Sequence, residues 1–180
     1  MPSRKITDLV AAMRGPASTL LARCAGKGVE LRVSATLRDP FEQARLWRQS
    51  RAIEEIKAKI KEFKLAGAPF LVHCLESVGP QSGRDVTGAP PGFSWHQFGE
   101  AMDVFWVVNG AAEWSTSKKV NGVNGYQLYA AEAGKLGLDA GGLWKSRKDW
   151  PHVQLRAASS PATVLSVVEI DRAMAKKFGP

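Results

Sequence analysis

The chain has 180 residues, 44% of them hydrophobic, and 25 Lys and Arg against 17 Asp and Glu give it a formal charge of +8. That is enough apolar material for one domain with a real core, so neither a metal nor a disulfide is needed as a staple, and any metal is expected to be catalytic. No run is apolar enough to span a bilayer, and the positive charge directs attention to an anionic target such as nucleic acid, a membrane face or an acid-rich cell wall.

Only two cysteines are present, Cys24 and Cys74, with no C-x-x-C spacing, and both are expected to be reduced and packed. Basic Arg4 and Lys5 precede a stretch, Ile6 to Cys24, interrupted by Asp8, Arg14 and Arg23. It lacks the apolar run of a signal peptide, so the expectation is synthesis in the cytoplasm and another route out if the substrate lies outside.

In chain order, Ile6, Leu9, Val10, Met13, Leu20, Leu21 and Cys24 follow helical spacing, with Gly15-Pro16 as a break or second start. Residues 29–37 alternate with period two, the mark of a strand with one buried face, and Arg38 sits just beyond its end. Asp39-Pro40 offers an N-cap and a first-turn proline for a helix over 40–49. Ile53, Ile56, Ile60 and Phe63 line one face of an amphipathic surface helix whose other face carries Glu and Lys. Residues 79–92, rich in Gly, Pro and Ser, read as a long loop.

Met102 to Val108 is apolar except for Asp103, the pattern of a buried strand carrying one acid. A helix over 124–137, short strands around Leu143 and over 152–155, and a closing helix over 161–177 with Val164, Val167, Val168, Ile170 and Met174 inward complete the reading. There is no internal repeat and no linker. His73, in Phe70-Leu71-Val72-His73-Cys74-Leu75, has no acid at suggestive spacing and reads as structural.

Two clusters carry chemistry. His96 and Asp103 lie seven residues apart in Ser94-Trp95-His96-Gln97-Phe98-Gly99-Glu100-Ala101-Met102-Asp103, and Asp149-Trp150-Pro151-His152 follows much later. A catalytic zinc takes three protein ligands and leaves a position for water, a count that His96, Asp103 and His152 meet. Coordination lowers the pKa of such a water from 15.7 to about 7, and Asp149 is the best-placed carboxylate to take and return its proton. Pro151 biases Trp150 toward extended backbone, so the acid and the ligand are expected on an extended segment or turn rather than a helix. Taken singly, each residue also has an ordinary reading, Asp103 as a cap or buried ion-pair partner and either histidine as a packing residue. Trp95, Trp144 and Trp150 crowd around the ligands, as groove lining or as core filling.

Together these residues resemble the zinc peptidase family of VanY-type and VanX-type D-alanyl-D-alanine peptidases and phage L-alanyl-D-glutamate endopeptidases (the M15 type). Its pattern, Ser-x-His-x-x-Gly-x-Ala-x-Asp followed by acid-x-x-His, is met by Ser94, His96, Gly99, Ala101, Asp103, Asp149 and His152. The likeness extends to Arg38, Gln43 and Gly141-Gly142-Leu143-Trp144, over about residues 29–156. It implies zinc on His96, Asp103 and His152, Asp149 as general base and acid, and Arg38 steadying the oxyanion, where one donor contributes about 2.7 to 4 kcal/mol. Ser94 would bond substrate and Gln43 would position Arg38. The Asp-x-Pro-His form resembles the endopeptidase branch.

The expectation is thus a single α+β domain over 1–180, a small antiparallel sheet flanked by helices, with one zinc ion at the sheet's mouth. It would cut a peptidoglycan stem peptide, as an L-alanyl-D-glutamate endopeptidase, at an anionic envelope reached by phage-type release or dedicated secretion. Alternatives are a D-alanyl-D-alanine carboxypeptidase, which needs a cationic pocket for a free carboxylate, and a non-catalytic zinc-bearing wall binder, which needs neither Asp149 nor Arg38. A basic nucleic-acid binder is disfavoured, since the lysines concentrate on one helix face without interleaved aromatics.

Overall fold

The computed structural model of the chain describes residues 1–49 and 51–180. Its elements in order are α1 (Ala11–Ala25), β1 (Glu30–Ala35), α2 (Pro40–Arg48), α3 (Ile53–Leu65), α4 (Pro69–Ser77), α5 (Trp95–Phe98), β2 (Ala101–Val108), β3 (Ala111–Glu113), α6 (Gly125–Lys135), β4 (Asp139–Ala140), β5 (His152–Gln154) and α7 (Val167–Phe178). Mixed helices and a small antiparallel sheet make this an α+β fold. The chain divides into two compact units, one of Pro2–Leu37 with Phe98–Ala157, the other of Met1, Arg38–Gln97 and Ala158–Pro180.

The first unit holds the whole sheet, in the order β1-β2-β5-β4 with β3 also on β2, every pairing antiparallel. Alternation along β2 sends Met102, Val104 and Trp106 to a face packed by Leu9, Met13, Leu20 and Cys24 around α1 and by Tyr126, Tyr129, Ala130 and Ala133 of α6. Asp103 necessarily points to the opposite face. The Asn124 side chain caps α6 by accepting from the amides of Tyr126 and Gln127.

Three expectations change in this unit. The first helix does not break at Gly15-Pro16: α1 runs through Pro16, and the break falls earlier, between a 3₁₀ turn at Ile6–Asp8 and Ala11. Buried Met13, Ala17, Leu20 and Cys24 on one face offset the bond that proline removes. Residues 141–143, expected as a strand, form a 3₁₀ turn directly after β4. Strand β3 had no signal of its own length to announce it.

The second unit is helical. Asp39 caps α2, its carboxylate accepting from the Glu42 amide at 2.8 Å, and Trp47 is buried. Ile56 and Phe63 of α3 are buried, whereas Ile53 is 49% exposed. Helix α4 was not foreseen, and its ends are satisfied from other helices. The buried Asp171 of α7 accepts from the Leu71 amide at 2.9 Å, and the buried Arg48 of α2 donates to the Leu75 carbonyl at 2.7 Å. An acid at the N-terminal turn and a guanidinium at the C-terminal turn are the charges that a helix dipole favours. His73 lies on the exposed side of α4, its ring edge-on to Phe41.

The closing helix also starts later than expected. A 3₁₀ turn occupies Pro161–Thr163, Val164 is 56% exposed rather than inward, and a capping box between Ser166 and Glu169 opens α7 at Val167. Cys24 and Cys74 are free and buried, and burial pushes their thiols up to about 11 and about 12.

Candidate metal centre

His96 sits on α5, a single turn opened by the Ser94 carbonyl, which accepts from the Gln97 amide at 3.0 Å. Gly99 ends that turn with φ at +75°, where a Cβ would lie 3.2 Å from the Asp8 carbonyl oxygen. A residue with a side chain would meet both a disfavoured backbone and a neighbour, which explains glycine at this place in the pattern. The chain then enters β2 and reaches Asp103 two residues along the strand.

In register, Asp103 lies opposite His152 on β5, and its Oδ1 is 2.9 Å from His152 Nδ1. His152 itself follows a turn in which its amide donates to the Asp149 carbonyl at 3.1 Å, the turn expected from Trp150-Pro151. Asp149 is exposed, and its backbone is fixed by donation from its amide to the Gly141 carbonyl at 3.1 Å. Gly141 could carry no side chain, because a Cβ there would come within 2.2 Å of the Asp149 carbonyl oxygen.

Arg38 follows β1, and its amide donates to the His96 carbonyl at 3.2 Å. Its guanidinium donates to Gln43 Oε1 at 3.0 Å. Gln43 is fully buried on α2, and its Nε2 donates to the Ala89 carbonyl at 2.7 Å and to Thr87 Oγ1 at 3.3 Å. Two oxygens thus hold the amide nitrogen on one side, and the amide oxygen faces Arg38. The long loop is therefore tied to the residue that orients the guanidinium.

His96, Asp103 and His152 each offer one ligand atom, and those atoms lie within 4.8 Å of one another, a group that could hold a metal ion. Bonds of about 2.0 to 2.2 Å around a tetrahedral ion would put its donors roughly 3.4 Å apart. Two imidazoles and one carboxylate suit zinc and other divalent ions of similar preference. The donor set fits.

Burial opposes a charge on His152, but the hydrogen bond and charge of Asp103, joined by the charge of Asp149, outweigh it and raise its pKa. Asp149 thus acts electrostatically on the histidine three residues after it. Burial, followed by the charges of Asp103, Cys24 and Asp149, raises the Tyr129 hydroxyl well above its ordinary value, so it stays protonated. Trp144 is half-buried with its ring 5.6 Å from that of His152. Trp150 is half-buried under Lys148, and Trp95 is core, donating to the Ala158 carbonyl at 2.6 Å. Sequence reasoning did not single out Gln154 and Asp139; the only signal was the two-residue step from His152 to Gln154, which puts both on one face of a strand.

The family model described as VanY, D-alanyl-D-alanine carboxypeptidase, matches residues 7–140. The chain belongs to this family, and by class it is a cell-wall peptidase and hence a hydrolase. The match takes in Arg38, His96 and Asp103 and stops before Asp149 and His152, whose placement rests on the geometry above. No curated protein matches the chain in sequence. Among solved structures, the L-Ala D-Glu endopeptidase ChiX of Serratia marcescens is similar at 20% identity, with a TM-score of 0.42, over 87% of this chain and 89% of that one. Among the described residues no helix is long and apolar enough to cross a membrane.

Proposed function

We propose that the chain is a zinc-dependent peptidase that cuts an amide bond in the peptidoglycan stem peptide at the cell wall, between L-alanine and D-glutamate. The observation that carries the metal part is the convergence of His96, Asp103 and His152 within 4.8 Å. A divalent ion held there supplies Lewis-acid activation of water and of the scissile carbonyl. Asp149 takes the proton from the attacking water and returns it to the leaving amine. Arg38, held by Gln43 and by the His96 carbonyl, offers donors to the oxyanion of the tetrahedral intermediate. Ser94, half-buried at the start of α5, offers a hydroxyl to the substrate. The choice of bond rests on the Asp-x-Pro-His form of the second cluster.

A second reading, a D-alanyl-D-alanine carboxypeptidase, is favoured by the description of the matching family model. Both readings share the residues and differ in product. Purified peptidoglycan is incubated with the zinc-loaded protein, and the new termini are identified by mass spectrometry. A new N-terminal glutamate supports the endopeptidase, free D-alanine supports the carboxypeptidase, and intact peptidoglycan beside stoichiometric zinc overturns both in favour of a wall-binding domain.

A further inference from the structure

His152, Gln154 and their cross-strand partners form a chain of hydrogen bonds with no role in the chemistry above. Asp139 stands opposite Gln154 on β4, as Asp103 stands opposite His152 on β2. Residues two apart on a strand share a face, so the register brings all four to one side of the sheet. His152 Nε2 is 3.0 Å from Gln154 Oε1. Gln154 Nε2 lies 2.6 Å from the Arg156 carbonyl and 3.1 Å from Asp139 Oδ2. Asp139 Oδ1 in turn accepts from Trp144 Nε1 at 2.9 Å, and the Trp144 ring lies against the His152 ring.

The polarity of this chain follows from its far end. A backbone carbonyl and a carboxylate only accept, so the two contacts on one end of the Gln154 amide identify that end as the nitrogen. The amide oxygen then faces His152, and an oxygen can only accept. His152 Nε2 must therefore carry a proton. The nitrogen left for an ion is Nδ1, the one beside Asp103.

We propose that Gln154, oriented by Asp139, is a positioning residue that keeps a proton on His152 Nε2 and so commits His152 to bind the metal through Nδ1. The inference rests on the metal reading above. A partner on the far nitrogen of a ligating histidine fixes its tautomer and ring orientation, and its loss typically weakens metal binding by about 10- to 100-fold. Trp144 supports the same ring from its side and pins the second oxygen of Asp139.

The test uses the full chain loaded with zinc or with cadmium-113. Chelator competition gives the metal dissociation constant of the wild type and of Gln154→Leu, with the melting temperature of each metal-free protein measured alongside. Gln154→Leu is expected to bind about 10- to 100-fold more weakly. Asp139→Ala, which removes one of the two acceptors that orient the Gln154 amide and leaves the Arg156 carbonyl in place, should lose less affinity than Gln154→Leu. Nitrogen-15 spectra of the cadmium-loaded wild type should show metal coupling to His152 Nδ1 and a protonated Nε2. Unchanged affinity in Gln154→Leu, or coupling to Nε2, would overturn the assignment while leaving the metal centre standing. An affinity loss in Gln154→Leu no larger than the metal-free melting change accounts for would reduce Gln154 to a structural residue and equally overturn it. A wild type that takes up no divalent ion would instead sink the metal reading itself.

Discussion

Asp103 and His152 face each other directly across β2 and β5, with Oδ1 and Nδ1 2.9 Å apart. The register that seats Met102 and Val153 in the core on one side of the sheet presents these two on the other. A slip of one residue would reverse both faces at once. The packing of the hydrophobic face therefore fixes the pair.

Removing either ligand should abolish metal uptake and activity together. His96→Ala and Asp103→Ala are expected to lose stoichiometric zinc by elemental analysis and to fail in wall-lysis assays. Full zinc occupancy in either variant would show that the ion sits elsewhere.

Asp149→Asn and Asp149→Ala should separate the two functions. Asp149 is exposed and lies outside the ligand group, so metal content should stay at the wild-type level while turnover falls about 10²- to 10⁴-fold, as loss of a general base does. Wild-type turnover in Asp149→Ala would remove it from the mechanism.

Gly141 offers a steric route to the same residue. Its Cβ would come within 2.2 Å of the Asp149 carbonyl oxygen, a backbone atom that cannot rotate away. Gly141→Ala should cost about 1 to 3 kcal/mol of stability, as overpacking does, and lower turnover by displacing the Asp149 turn. Equal stability and turnover in the variant would mean that the turn shifts freely and that its position is immaterial.

The grouping of His96 with Asp103 is legible because these residues are spaced by local rules. His96, Gly99 and Asp103 lie on one short turn and the strand it feeds, and Asp39 and Asn124 announce their helices by capping them. What escaped depends on partners distant in sequence. Helix α4 is capped at both ends from outside, by Asp171 and Arg48, so its own sequence carries no cap. Gln154 and Asp139 acquire meaning only once β4 is paired with β5. The expected strand at Leu143 failed because Gly141 and Gly142 are spent on close approaches to Asp149 and Trp150, which a period-two reading cannot register. The Ser166 and Glu169 capping box was present in the sequence and would have moved the start of the last helix past Val164.

Arg38 should contribute through the transition state. Its guanidinium is tied to Gln43 and its backbone to His96, so Arg38→Ala is expected to reduce kcat by about 10²- to 10³-fold, the effect of one oxyanion donor, with little change in KM. A loss confined to KM would place Arg38 in ground-state binding instead.

Glu132 makes stability depend on acid, away from the ligands. Its carboxylate, 3% exposed on α6, accepts from Lys135 Nζ at 2.7 Å and from Lys27 Nζ at 2.6 Å, and these bonds hold its pKa down from 4.5 to about 2. A carboxyl with a depressed folded pKa gives stability that is complete above its unfolded value and drains away as pH falls through the folded one. The wild type should therefore lose melting temperature between about pH 4.5 and pH 2. Glu132→Gln, which keeps the shape but cannot ionise, should melt lower at neutral pH and converge on the wild type as the pH falls through that window. Thermal melts of both proteins across the range check this directly, and curves that stay parallel to the acid end would mean that the two lysines do not hold Glu132 ionised.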